Sequence, residues 1–166
     1  MEKKVLLEKS DLAKSGLSFI LGLLSTTLGF FLALYFNNNI AKKKELATFE
    51  NLKKGILAEV THNKLTIDST FKIHYLDLIF DELTTSSSNQ QLTNTIFLNN
   101  TDASLLIALQ NYIRKCENCN SQKEQLKHMR ISGQYDDYLS ETLRAFKKSM
   151  QETEIAMQNL VHEIND

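Results

Sequence analysis

Hydrophobic and polar positions follow different rules in different parts of this chain. From Leu17 to Phe36 there is no polar period at all: LSFILGLLSTTLGFFLALYF is twenty residues without a charge. At ~1.5 Å per residue, a helix of that length spans ~30 Å, the hydrocarbon thickness of a bilayer. The run predicts a transmembrane helix. Two alternatives are a cleaved signal peptide, whose apolar region is usually only ~7–15 residues, and a buried core helix. Tyr35 and Phe36 close the run and suit the headgroup level, where an amphipathic ring sits well.

Beyond the run the period becomes helical. Leu46, Phe49, Leu52, Ile56, Val60 and Ile67 recur at steps that place them on one helix face, and Phe71, Tyr75, Leu78, Ile79 and Leu83 continue it. A long helix is predicted from Ala41 to Leu83, weakened at Gly55 and open to a break near Thr66. Asn37–Asn39 separates it from the apolar run. If that triplet is helical, a rod runs outward from the membrane and carries contact at the span to the distal helices; a bend there removes the coupling.

Thr84–Thr95 (TTSSSNQQLTNT) is almost wholly polar and predicts a mobile loop. A second helix is expected to begin at Thr101 or Asp102, with Leu105, Leu109, Tyr112, Cys116, Cys119 and Leu126 on its apolar face. Ile131–Gln134, with Gly133, predicts the next turn. The last helix, from about Asp136 to Ile164, has the cleanest pattern. Leu139, Leu143, Phe146, Met150, Thr153, Met157, Leu160 and Ile164 alternate steps of four and three. That is the seam of a coiled coil or a close-packed bundle. It can pack within the chain as part of an antiparallel bundle or between subunits.

The apolar run has internal order too. At 100° per residue, Ser15, Ser18, Gly22, Ser25, Thr26, Gly29 and Ala33 fall within an arc of about 100°. Small residues at four-residue spacing permit close helix approach in lipid, where apolar burial supplies no drive. Ser18, Gly22, Ser25, Thr26, Gly29 and Ala33 are therefore candidate helix–helix contacts in the membrane. The same residues are also simply common in membrane helices.

Composition narrows the class. There are 166 residues, no Pro, five Gly and two Cys, so long helices are unobstructed and a disulfide-dense fold is excluded. Nineteen basic against twenty acidic residues gives a net charge of −1, which offers nothing to nucleic acid. Orientation in the membrane is not readable, because lysines and the terminal amine divide five against five about the span. Lys42, Lys43 and Lys44 stand at its far edge, where they hold anionic headgroups if that side is cytoplasmic or serve as an ordinary flanking anchor.

Candidate chemistry is sparse. Cys116 and Cys119 form a CxxC on the apolar face of a helix, not at the strand-to-helix turn of a redox site. Three readings stand: small core residues, a disulfide or half of a metal site. The histidines His62, His74, His128 and His162 have no ligand spacing. Asp136 and Asp137 suit a helix start better than a cation. No phosphate loop, dinucleotide fingerprint, zinc-protease motif or nucleophile elbow occurs, and no charge lies in the span for a proton relay. No enzyme, metal or cofactor is expected.

LGFFLALYFNNNIAKKKE followed by LKKGILAEVTHNK resembles small bacterial single-pass membrane proteins of unknown function, in which an apolar helix ends in an Asn-containing junction and a charged helix follows. The junction Trp usual in that class is absent here. The resemblance implies a bacterial membrane setting and no activity.

The expected fold is all-α: a polar segment at 1–16, a transmembrane helix at 17–36, a long helix at 37–83, a polar loop at 84–100 and two further bundle helices in 101–166. The expected function is that of a membrane-anchored interaction protein, an accessory or scaffold subunit or an adaptor at the cell membrane. Its expected partners are lipid and either further copies of itself or other membrane subunits. The alternative is a self-associating membrane effector that forms pores or signals in defence.

Overall fold

A computed structural model of the chain describes residues 2–72, 82–132 and 137–166, with side chains over 14–70, 82–129 and 139–166. Among these residues the protein is all-helical, with no strand. The helices are α1 (Glu2–Lys72), α2 (Ser86–Gln91), α3 (Thr95–Asn100), α4 (Ala103–Ser132) and α5 (Asp137–Asn165). The chain divides into two compact units, 1–45 and 46–166.

The first unit is a single stretch of α1. Every side chain from Lys14 to Lys44 is exposed, and the large apolar ones between Leu17 and Phe36 range from 42 to 69% exposed. This is the one candidate span among the described residues, a helix long and apolar enough to cross a membrane. Asn37, Asn38 and Asn39 are helical. With no Pro in the chain, nothing removes a backbone donor there.

The second unit has its own core. From α1 it takes Phe49, Ile56, Val60 and Ile67; from α4, Leu105, Leu109, Tyr112, Ile113, Cys116, Cys119 and Leu126; from α5, Phe146, Met150, Ala156, Met157, Leu160 and Ile164. Leu46, expected on the buried face of the first helix, is instead 56% exposed, and Leu52 is half-buried. The apolar face of α1 enters the core only at Phe49. Tyr75, Leu78 and Ile79, and the side chain of Phe71, lie outside the described residues, and no helix extends over 82–85. Leu83 therefore reaches the core from a non-helical segment.

The stretch 84–100, expected to be a polar loop, holds two short helices and three buried side chains. Ser88 and Phe97 are fully buried, and Gln91 is nearly so. Asn94 caps α3, its side chain accepting from the Phe97 N–H at 3.2 Å. The cap turns Phe97 inward against Phe49, ring centroids 5.6 Å apart. Composition misleads at Ser88 because a hydroxyl can be buried when it finds a hydrogen-bond partner, here the Glu59 carboxylate; the buried Gln91 Oε1 has no partner among the described residues.

Asp102 caps α4, accepting from the Leu105 N–H at 2.9 Å. That bond and the Ser104 hydroxyl hold its carboxyl below the usual range. The helix continues to Ser132, past the turn expected at Ile131; Gly133, Gln134 and Asp136 lie outside the described residues. α5 begins at Asp137 and packs along α4. Thr142 meets Met129, Lys115 pairs with Glu152 at 2.6 Å, and Ser104 donates to Glu163 at 2.5 Å.

Candidate functional site

In the first unit, Ser18, Gly22, Ser25, Thr26, Gly29 and Ala33 are all exposed. A Cβ added at Gly22 or Gly29 meets nothing within 4 Å. Thr26 and Thr27 turn their hydroxyls onto their own helix, donating to the Gly22 and Leu23 carbonyls at 2.8 Å. Such back-bonding satisfies a hydroxyl that has no water or neighbour. The flank is basic: Lys42 and Lys43 are exposed beyond the apolar run.

In the second unit, the seam of α5 turns inward. Phe146 and Leu160 are fully buried, Met150, Met157 and Ile164 nearly so, and Leu139 and Leu143 are half-buried against the core. Thr153, the polar member of the series, is also fully buried. Its hydroxyl lies 3.1 Å from the Lys115 carbonyl on α4 and 2.8 Å from the Ser149 carbonyl. The seam thus tolerates a hydroxyl because a carbonyl of the facing helix receives it.

The two thiols are free and buried. Burial pushes Cys116 up to about 12 and also raises Cys119. A thiol held protonated is a poor nucleophile and a poor metal ligand. No group of three metal-binding side chains occurs among the described residues. His62, His128 and His162 are exposed, with His162 Nδ1 3.3 Å from Asp166. His74 lies outside the described residues.

A polar arrangement not anticipated from the sequence lies between α1 and α4. Asn63, fully buried, donates from Nδ2 to the Thr84 carbonyl and to the Tyr112 hydroxyl, both at 2.6 Å, and accepts at Oδ1 from the Thr84 N–H at 2.9 Å. Asn120 on α4 does the same for Leu83: Nδ2 donates to its carbonyl at 2.9 Å, and Oδ1 accepts from its N–H at 3.0 Å. One turn before Asn63, the buried Glu59 accepts from the Ser87 N–H at 2.7 Å and the Ser88 hydroxyl at 2.5 Å. Burial raises the Tyr112 hydroxyl well above its ordinary value, so Tyr112 stays neutral in this cluster. The available signal was positional. Val60 and Ile67 are seven residues apart on a face that otherwise steps by three or four, and Asn63 fills the gap.

Along α4 and α5 runs an open groove of about 670 Å³, bordered by Ile107, Asn111, Arg114, Asn159 and His162. Ile107 is 66% exposed within it. Comparison with protein-family profiles, curated proteins and solved structures gives no match to this chain.

Proposed function

We propose that the chain is a single-pass, membrane-anchored interaction protein, an accessory or scaffold subunit or an adaptor of a membrane complex. One observation carries the reading. Twenty uncharged, mainly apolar residues form a helical stretch whose side chains are all exposed, in a chain whose second unit has a core of its own. Exposed apolar area costs ~25 cal/mol per Å² in water, and a bilayer removes that cost. The pairings of Met129 with Thr142, Lys115 with Glu152 and Ser104 with Glu163 run in opposite senses along α4 and α5, which supports an antiparallel bundle as the displayed domain.

Association is assigned to the small-residue face, Ser18 through Ala33, with a second copy or another membrane subunit. The test is alkaline carbonate extraction followed by sizing in mild detergent. Membrane retention with a defined oligomer or a specific co-purifying subunit is the expected result. Release into the supernatant, or a lone monomer, overturns the reading. The same face also suits a pore-forming or signalling effector. Overexpression separates the two: an effector depolarises or kills cells, whereas a scaffold is tolerated.

A further inference from the structure

The hydrogen bonds of Leu83 and Thr84 are distributed in an unusual way. Each residue gives both its N–H and its C=O to one asparagine, Leu83 to Asn120 on α4 and Thr84 to Asn63 on α1. Successive residues of an extended chain present their peptide groups to opposite sides. The segment is thus held as a peptide ligand is held, by main-chain bonds from both walls of a slot. Glu59 extends the hold to the Ser87 N–H and the Ser88 hydroxyl.

Little apolar burial adds to this grip. Between Glu82 and Gln91, Leu83 is the one apolar residue in the core. Segments with few buried apolar contacts open at lower free energy than the core around them.

We propose that residues 83–88 are a captive peptide. They fill a backbone-reading slot made by Asn63, Asn120 and Glu59, and when they lift out the slot accepts the same segment of a second copy of this chain. A second copy fits because Leu83 and Ser88 are the side chains that the slot buries, and another copy presents both in register with the same main-chain groups. The proposal does not depend on the membrane reading, since the slot and its occupant lie wholly within 46–166.

The test uses the full-length chain in mild detergent and a fluorescent peptide of residues 81–92. Thr84→Pro removes the N–H that Asn63 receives and should free the slot. The labelled peptide should then bind Thr84→Pro about tenfold tighter than wild type in fluorescence anisotropy. It should fail to bind Thr84→Pro/Asn63→Ala, and a peptide carrying proline at 84 should not bind. Equal binding to wild type and Thr84→Pro, or no binding to a Thr84→Pro chain of unchanged helix content, overturns the proposal. If Thr84→Pro loses its helix signal, hydrogen exchange on the wild type decides. The Leu83, Thr84 and Ser87 amides should open together, well before the Leu109–Tyr112 amides; exchange of all of them only in global unfolding overturns it.

Discussion

The Asn63 side-chain amide donates to the Tyr112 hydroxyl at 2.6 Å, joining residues 49 apart in the sequence inside the core of the second unit. A buried donor left unpaired costs about 1–3 kcal/mol. Tyr112→Phe keeps the ring and leaves one Asn63 hydrogen with only the Cys116 sulfur, 3.9 Å away, as acceptor, so it should destabilise by up to about that amount. Asn63→Ala also removes both main-chain bonds to Thr84 and the contact from its hydroxyl, and should cost more, about 2–4 kcal/mol. Urea midpoints of the full-length chain in mild detergent check the order. A Tyr112→Phe change that costs more than Asn63→Ala contradicts it.

On α5, burial should separate neighbouring positions sharply. Leu160 is fully buried, whereas Ile155 is 57% exposed. Leu160→Ala should lose about 2–5 kcal/mol, as deleted core methyl groups do. Ile155→Ala should stay within about 0.5 kcal/mol of wild type. Thermal melts of both variants measure the contrast. Equal losses at the two positions would mean that Ile155 is covered in the assembled protein.

The thiols make stability fall in alkali. In the folded chain Cys116 is pushed up to about 12, against an ordinary value of 9.0. Between those values the unfolded chain has released a proton that the folded chain still holds. The stabilisation is complete below pH 9 and lost as pH rises toward 12, at a limiting slope of about 1.4 kcal/mol per pH unit for one such group. Cys116→Ala should give a shallower fall in urea midpoint from pH 8 to pH 11. It should not be flat, because the buried Tyr112 hydroxyl is raised as well. An unchanged slope in Cys116→Ala would remove the thiol as the cause.

The small-residue face is tested by crowding it. Gly22→Leu with Gly29→Leu places two branched side chains where helices would approach most closely. Self-association or partner capture in a membrane two-hybrid assay should drop severalfold. A matched change on the opposite face, Leu24→Ala with Phe31→Ala, should leave it unaltered. An undiminished signal from the glycine double variant rejects this face as the contact.

The repeat along α5 was readable because one buried stripe imposes a 3–4 step whatever it packs against. Phe146, Met150, Leu160 and Ile164 announce their burial by spacing alone. Which surface they bury against is not written in that spacing. The facing positions on α4, such as the Lys115 carbonyl that receives Thr153, lie far away in sequence. The slot was missed for a related reason. Asn63 and Glu59 are buried because of groups on 83–88, and those groups are mostly main-chain atoms common to every residue. A run such as TTSSS looks unfit for a core until the acceptors waiting for it are known. Leu46 failed in the other direction: its spacing fits the face, yet among the described residues it is left 56% exposed.

Among the described residues, a Cβ added at Gly22 or Gly29 meets no neighbouring atom within 4 Å. The chain's own packing is therefore indifferent to what stands at those positions. Larger side chains there add helix propensity and take away no internal contact. Any growth defect, lost complex or altered toxicity caused by substitutions along this face would have to arise from a neighbouring molecule. A saturation scan of 18–33 would then map the outline of that neighbour, with misfolding removed as a competing explanation.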